Sequence, residues 1–129
     1  MEKEKLVFIV DDENIILSLV EYVIGNQPGI RLQTFSTVDA CLAALSMKPD
    51  LVVTDHHFGN VGDKKVTGIN LLQAIRNLSA DIPVLVLSSH DDPLLKEQYK
   101  QEGATEYLTK NDYFVNDLED AIKKYLHLL

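Results

Sequence analysis

Three aspartates, a serine and a lysine are spaced along this chain so that they could handle a phosphoryl group. Asp11 and Asp12 follow the apolar run Leu6-Val7-Phe8-Ile9-Val10, and Asp55 ends the run Asp50-Leu51-Val52-Val53-Thr54-Asp55. Ser88 follows Pro83-Val84-Leu85-Val86-Leu87, and Lys110 follows the stretch from Ala104 to Thr109. An apolar, β-branched run that stops at a polar residue reads as a buried strand delivering that residue to the edge of a sheet. Two carboxylates about 4 Å apart repel by roughly 1 kcal/mol in water and about 4 kcal/mol at an effective dielectric near 20, so three converging acids need a counter-charge. Mg²⁺ suits such a place, because it takes one or two carboxylates, several waters and a phosphate oxygen. Lys110 as a point charge and Ser88 as a hydrogen-bond donor would complete the pocket. The chemistry that fits is phosphoryl transfer to a carboxylate, which needs an in-line nucleophile and charge stabilisation rather than a strong base. Asp55 is placed to be that nucleophile.

The elements that must position these residues alternate between strand and helix from one end to the other. That is the pattern of βαβ units on a parallel sheet. Strands are expected at Leu6 to Val10, Ile30 to Phe35, up to Asp55, at Pro83 to Leu87, and at Ala104 to Thr109. The second is the most polar and is expected at an edge. The first helix carries Ile15, Ile16, Leu19, Val20, Val23 and Ile24 on one face, and the second carries Val38, Cys41, Leu42 and Leu45 behind a Ser36 or Thr37 cap. Thr67 should cap a third helix with Ile69, Leu71, Leu72, Ile75 and Leu78. A weakly amphipathic fourth helix, Pro93 to Glu102, has few apolar positions (Leu94, Leu95, Tyr99) and should dock loosely before Gly103. The fifth runs from Tyr113 to Leu128, with Leu129 near its stripe. The stretch from His56 to Val66 reads as irregular. Right-handed crossovers give a doubly wound α/β sheet, and ligands on such sheets bind beyond the carboxyl ends of the strands.

Composition agrees with one domain. The 129 residues are 46% hydrophobic and 25% charged, as in an ordinary globular protein. The single cysteine, Cys41, excludes an internal disulfide and suits a reducing cytoplasm. The apolar run after Met1-Glu2-Lys3-Glu4-Lys5 is too short for export or a membrane span, so no membrane contact is expected. A formal charge of −8 opposes general binding to nucleic-acid phosphates.

The run Phe8-Ile9-Val10-Asp11-Asp12-Glu13, together with Pro49 to Asp55, Thr67-Gly68-Ile69-Asn70-Leu71-Leu72, Pro83 to Ser89 and Gly103 to Lys110, resembles the receiver domain of two-component response regulators over nearly the full length. The resemblance implies a flavodoxin-like fold of three α/β/α layers, with five parallel strands in the order 2-1-3-4-5 and five helices. It implies that Asp55 accepts phosphate from a histidine kinase or histidine phosphotransfer protein. Asp12 would ligate Mg²⁺ directly, Asp11 largely through water, and the His57 backbone carbonyl would join them and Asp55. Ser88 and Lys110 would contact the phosphoryl oxygens, and Tyr107 would be the aromatic switch moving with Ser88. The face of the fourth helix, fifth strand and fifth helix would address a downstream protein. The chain is expected to act alone, as chemotaxis-type regulators do, as a monomer or a phosphorylation-dependent dimer; a receiver cut from a longer regulator is the other possibility.

Two departures stand out. Asn111 follows Lys110 where the family usually has proline, and a cis bond before a non-proline residue costs about 2.5 to 4 kcal/mol. The segment Gly59-Asn60-Val61-Gly62-Asp63-Lys64-Lys65 lengthens the loop after Asp55, as a lid, a partner contact or an idle loop. His57 and His90 each lie two residues beyond a phosphate-contacting position, where the family tunes water's access to the phosphoryl group. A transition-metal site at His56-His57 is disfavoured, because adjacent strand residues face opposite sides. Aspartates also cap helices, which would give Asp12, Asp91 or Asp92 a purely structural role. A different class of function, an interaction module that has lost phosphorylation, is the alternative; a phosphohydrolase lacks a second acid two residues after Asp55.

Overall fold

A computed structural model describes residues 4–61 and 64–128, so Met1, Glu2, Lys3, Gly62, Asp63 and Leu129 lie outside it. The five strand runs of the sheet are short, and the three ending at Val10, Thr54 and Ser88 are buried on both faces. They form β1 (Lys5–Val10), β2 (Ile30–Phe35), β3 (Leu51–Thr54), β6 (Val84–Ser88) and β7 (Glu106–Thr109), a parallel sheet in the order β2-β1-β3-β6-β7. Between β3 and the third helix lies a separate antiparallel pair, β4 (His57–Val61) with β5 (Lys64–Thr67). With that pair set aside, the order is the expected 2-1-3-4-5.

Alternate side chains on each central strand enter opposite core layers. Val7, Ile9, Leu51, Val53, Leu85 and Leu87 pack with α1 (Asn14–Val23) and α5 (Phe114–Leu126). Phe8, Val10, Val52, Val84 and Val86 pack with α2 (Val38–Ala44), α3 (Gly68–Leu78) and α4 (Pro93–Gln101). Cys41 is wholly buried in this second layer, and burial pushes its thiol pKa up to about 12, so it behaves as a small apolar residue. Thr37 caps α2 by accepting the Ala40 N–H, and Thr67 with Asn70 forms a capping box on α3. Asp92 caps α4 through the Leu94 N–H, whereas the N-cap of α1 is Glu13 and not Asp12.

Several expectations are corrected. Most of the described residues between His56 and Val66 are not loop but strand, with a register shift between His57 and Asn60: Phe58 and Val66 pack against the second core layer, which holds the β4–β5 pair down. On α1 the buried residues are Leu17 and Val20, with Ile24 buried just past its end, while Ile15 and Leu19 face solvent. Seven of the ten positions of that helix are apolar or aromatic, so periodicity could not choose which stripe meets the sheet. Leu78, near the end of α3, is exposed. The fourth helix is anchored by Tyr99, whose exposure is 0%. The Lys110–Asn111 bond is trans, as are all the described peptide bonds.

Candidate functional site

Strand register brings the acids together. Val10 of β1 pairs with Thr54 of β3, so Asp11 and Asp55 each stand one residue past paired neighbours. The Asp55 N–H donates to the Val10 carbonyl at 3.0 Å and the Asp11 N–H to the Phe35 carbonyl at 3.0 Å, extending the ladders by a step. On the other side Ser88 pairs with Thr109, and the Lys110 N–H donates to the Ser88 carbonyl at 2.8 Å. The carboxyl ends of β1, β3, β6 and β7 therefore meet at one place.

Asp11, Asp12, Glu13 and Asp55 each contribute a carboxylate oxygen to a group whose members lie within 4.8 Å of one another. Asp11 and Asp55 are buried; Asp12 and Glu13 are exposed. The Lys110 ammonium is 2.9 Å from Asp11 Oδ2, 3.2 Å from Asp55 Oδ2 and 3.3 Å from Glu13 Oε1. Burial raises the Asp11 carboxyl above its ordinary value, with Lys110 and the Glu13 N–H opposing. Burial alone would lower the Lys110 pKa, but Asp11 and Asp55 outweigh it and the lysine stays above its ordinary value. One ammonium thus meets three of the four grouped carboxylates, and a set of hard oxygen donors with unbalanced negative charge fits a hard divalent cation.

Ser88 is fully buried, and its Oγ accepts the His90 N–H at 3.1 Å and lies 3.2 Å from His90 Nδ1. The Tyr107 hydroxyl donates to the His90 carbonyl at 2.5 Å. The expected switch pair is therefore joined through His90. His57 opens β4 with its imidazole exposed, outside the carboxylate group. Two residues that sequence reasoning passed over matter here. Glu13 was visible as a third consecutive acid. His56, set aside with the transition-metal reading, donates its N–H to Asp55 Oδ1 at 2.7 Å and holds Tyr99 Oη 2.7 Å from its Nδ1.

Residues 7–123 match the sequence model of the response regulator receiver domain. This chain belongs to that family. The receiver is 30% identical over 124 residues to the DNA-binding transcriptional regulator NtrC of Salmonella typhimurium, covering 93% of this chain and 25% of that protein. It is 32% identical over 106 residues to the alkaline phosphatase synthesis transcriptional regulatory protein PhoP of Bacillus subtilis, covering 82% of this chain and 42% of that one. The receiver thus spans less than half the length of these two relatives. Among solved structures it resembles a BeF3-activated DrrB receiver domain (TM-score 0.82, 22% identity, 96% of this chain and 98% of that one). It also resembles the chemotaxis protein CheY4 of Vibrio cholerae (TM-score 0.79, 24% identity, 95% and 98%). At those identities the likeness carries the flavodoxin-like fold. No helix among the described residues is long and apolar enough to cross a membrane.

Proposed function

We propose that this receiver takes a phosphoryl group on Asp55 from phosphohistidine on a histidine kinase or histidine phosphotransfer protein. The observation that carries the reading is the Asp55 carboxylate at the end of β3, 3.2 Å from Lys110 and inside the carboxylate group. An Asp55 oxygen attacks phosphorus in line, the P–N bond of the donor breaks, and its electron pair leaves with the imidazole, which takes a proton from solvent. Lys110 turns from the carboxylates to the new phosphoryl oxygens. Ser88 Oγ–H leaves its His90 contact to donate to one of them. Asp11, Asp12, Asp55 and the His57 carbonyl are the groups that would hold Mg²⁺, with Glu13 beside them; a bound Mg²⁺ supplies charge neutralisation for the entering phosphoryl group.

The added phosphoryl group brings about −1.5 to −2 charges, by analogy with phosphorylated hydroxyl residues. Movement of Ser88 and Lys110 toward it bears on His90 and hence on Tyr107, which biases the surface of α4, β7 and α5 between two arrangements. That surface then addresses a downstream protein, and His57 and His90 set the lifetime of the acyl phosphate. Mass spectrometry after treatment with acetyl phosphate and Mg²⁺ tests the reading. The wild type should gain the mass of one phosphoryl group and Asp55→Asn none. A wild type that gains nothing overturns the reading and leaves a phosphorylation-independent interaction module.

A further inference from the structure

The phosphoryl chemistry leaves the contact between His56 and Tyr99 without a role. Tyr99 is among the largest side chains with no exposure, and it is the one residue of α4 that is fully buried. Leu94 on the same helix is 82% exposed. A helix with a single buried anchor takes its position from wherever that anchor sits. A phenylalanine would fill such a place without a hydroxyl to satisfy. The Tyr99 hydroxyl instead meets His56 Nδ1 at 2.7 Å.

His56 faces two ways. Its backbone N–H donates to Asp55 Oδ1 at 2.7 Å while its ring carries the contact to α4. Gly68 makes the approach possible, because a Cβ there would lie 2.3 Å from the Asp55 carbonyl oxygen and 2.6 Å from Tyr99 Oη. The His56 ring also stands edge-on to His90 with centroids 5.6 Å apart, and Tyr99 edge-on to Tyr107 at 5.7 Å. A packed set therefore runs from the Asp55 carboxylate to the middle of the sheet's α4 side.

We propose that the His56–Tyr99 hydrogen bond couples the charge state of Asp55 to the position of α4, with Tyr99 as a positioning residue of the switch. The proposal rests on the reading of Asp55 as the phosphoacceptor. A change at the Asp55 oxygens alters what the His56 N–H faces, and the ring is carried with its peptide. Breaking the bond to Tyr99 would leave the buried hydroxyl with the Ile69 backbone but without its side-chain partner, so displacement of α4 with its anchor is the response that keeps both contacts. Burial, with Tyr107 and Asp55 nearby, raises the Tyr99 phenol, and the hydroxyl keeps its proton. Its hydrogen bond is separate from those of Ser88 and Tyr107, which meet at the His90 backbone, although the rings of His56 and Tyr99 abut His90 and Tyr107.

The test is a double-mutant cycle on the full chain in metal-free buffer, with amide hydrogen exchange of residues 93–101 as the readout. Asp55→Asn removes the carboxylate charge without any phosphoryl donor. It should change α4 exchange by about threefold or more in the wild-type background and leave it unchanged in Tyr99→Phe. His56→Phe removes Nδ1 from the other side and should abolish the response likewise, which keeps the test open if Tyr99→Phe folds poorly. His56→Asn, which places an amide group near the Nδ1 position, should restore it. An equal response to Asp55→Asn with and without the Tyr99 hydroxyl overturns the coupling. Acetyl phosphate with Mg²⁺ forms a separate arm: Tyr99→Phe should take up a phosphoryl group as the wild type does but show a blunted α4 response. A wild type without uptake would remove the phosphoacceptor reading, while the Asp55→Asn cycle still decides the coupling.

Discussion

Lys110 Nζ lies 2.9 Å from Asp11 Oδ2, with side-chain exposures of only 8% and 2%. The pKa values of both partners are raised on folding, with opposite consequences at neutral pH. Burial lifts the Asp11 carboxyl above its ordinary 3.8. A group raised on folding favours the folded state fully below its unfolded value and gives that up as pH climbs through its folded value. Asp11 therefore works against stability at neutral pH. Lys110, held above 10.5 by Asp11 and Asp55 against burial, keeps its favourable share until pH rises through its raised value. Asp11→Asn should raise the Tm by a few degrees at neutral pH in chelator and by little below pH 3.8, because Asp55 and Glu13 still hold the lysine. Thermal unfolding followed by circular dichroism at the two pH values checks this, and equal gains at both would separate the effect from ionisation.

Removing Lys110 tests the same balance from the other side. Breaking a buried ion pair by deleting one partner costs about 3–5 kcal/mol when the other charge stays buried. Here Asp11 can take a proton, while Asp12 and Glu13 face solvent. Lys110→Met should therefore lose about 2–3 kcal/mol in chelator. Mg²⁺ should then stabilise the variant more than the wild type, since the acids no longer share an ammonium and ligand binding adds RT ln(1 + [L]/Kd). Urea unfolding with and without Mg²⁺ measures both. The same Mg²⁺ gain in the two proteins would show that lysine and metal do not compete.

Strands and acids were legible in the sequence because β1, β3 and β6 are continuous apolar runs ended by polar residues, and register converts those ends into a cluster. The β4–β5 pair was passed over although its signal was present. In the sequence Phe58-Gly59-Asn60-Val61 and Lys64-Lys65-Val66-Thr67 are two runs that each contain β-formers, close enough together to pair. The lysines hid the pattern. Tyr99 was read as a weak docking residue because hydropathy on α4 is low. Its place in the core depends on His56 and Gly68, which are far from it in sequence, and no local pattern reports such a meeting.

Gly68→Ala separates that meeting from ordinary helix energetics. In an exposed helix the change would gain up to about 1 kcal/mol. At Gly68 the added methyl would sit 2.3 Å from the Asp55 carbonyl oxygen and 2.6 Å from Tyr99 Oη. Overpacking of this kind costs about 1–3 kcal/mol. Chemical denaturation should show a net loss, accompanied by shifted NMR resonances for His56 and Tyr99. A gain in stability would mean that the backbone after Asp55 has room to yield.

Arg76 provides the contrast, a residue whose loss should weaken the fold while leaving the site alone. Its guanidinium donates to the Gly103 carbonyl at 3.0 and 2.8 Å, to the Ser79 carbonyl at 3.2 Å and to the Ile82 carbonyl at 2.8 Å. It thereby ties the end of α3 to the turn after α4 and to the approach to β6, at the amino end of the strands, away from Asp55. Burial lowers its pKa without removing the charge, and hydrogen bonds from a charged group contribute about 1.5–3 kcal/mol. Arg76→Met should lose about 2–3 kcal/mol in guanidinium unfolding. Arg76→Lys should recover little of it, since one ammonium lacks the planar fork that reaches three carbonyls. Phosphoryl uptake by Arg76→Met, measured by mass spectrometry at a temperature where the variant is folded, should match the wild type. A loss of uptake in step with stability would mean that the two ends of the sheet are energetically linked.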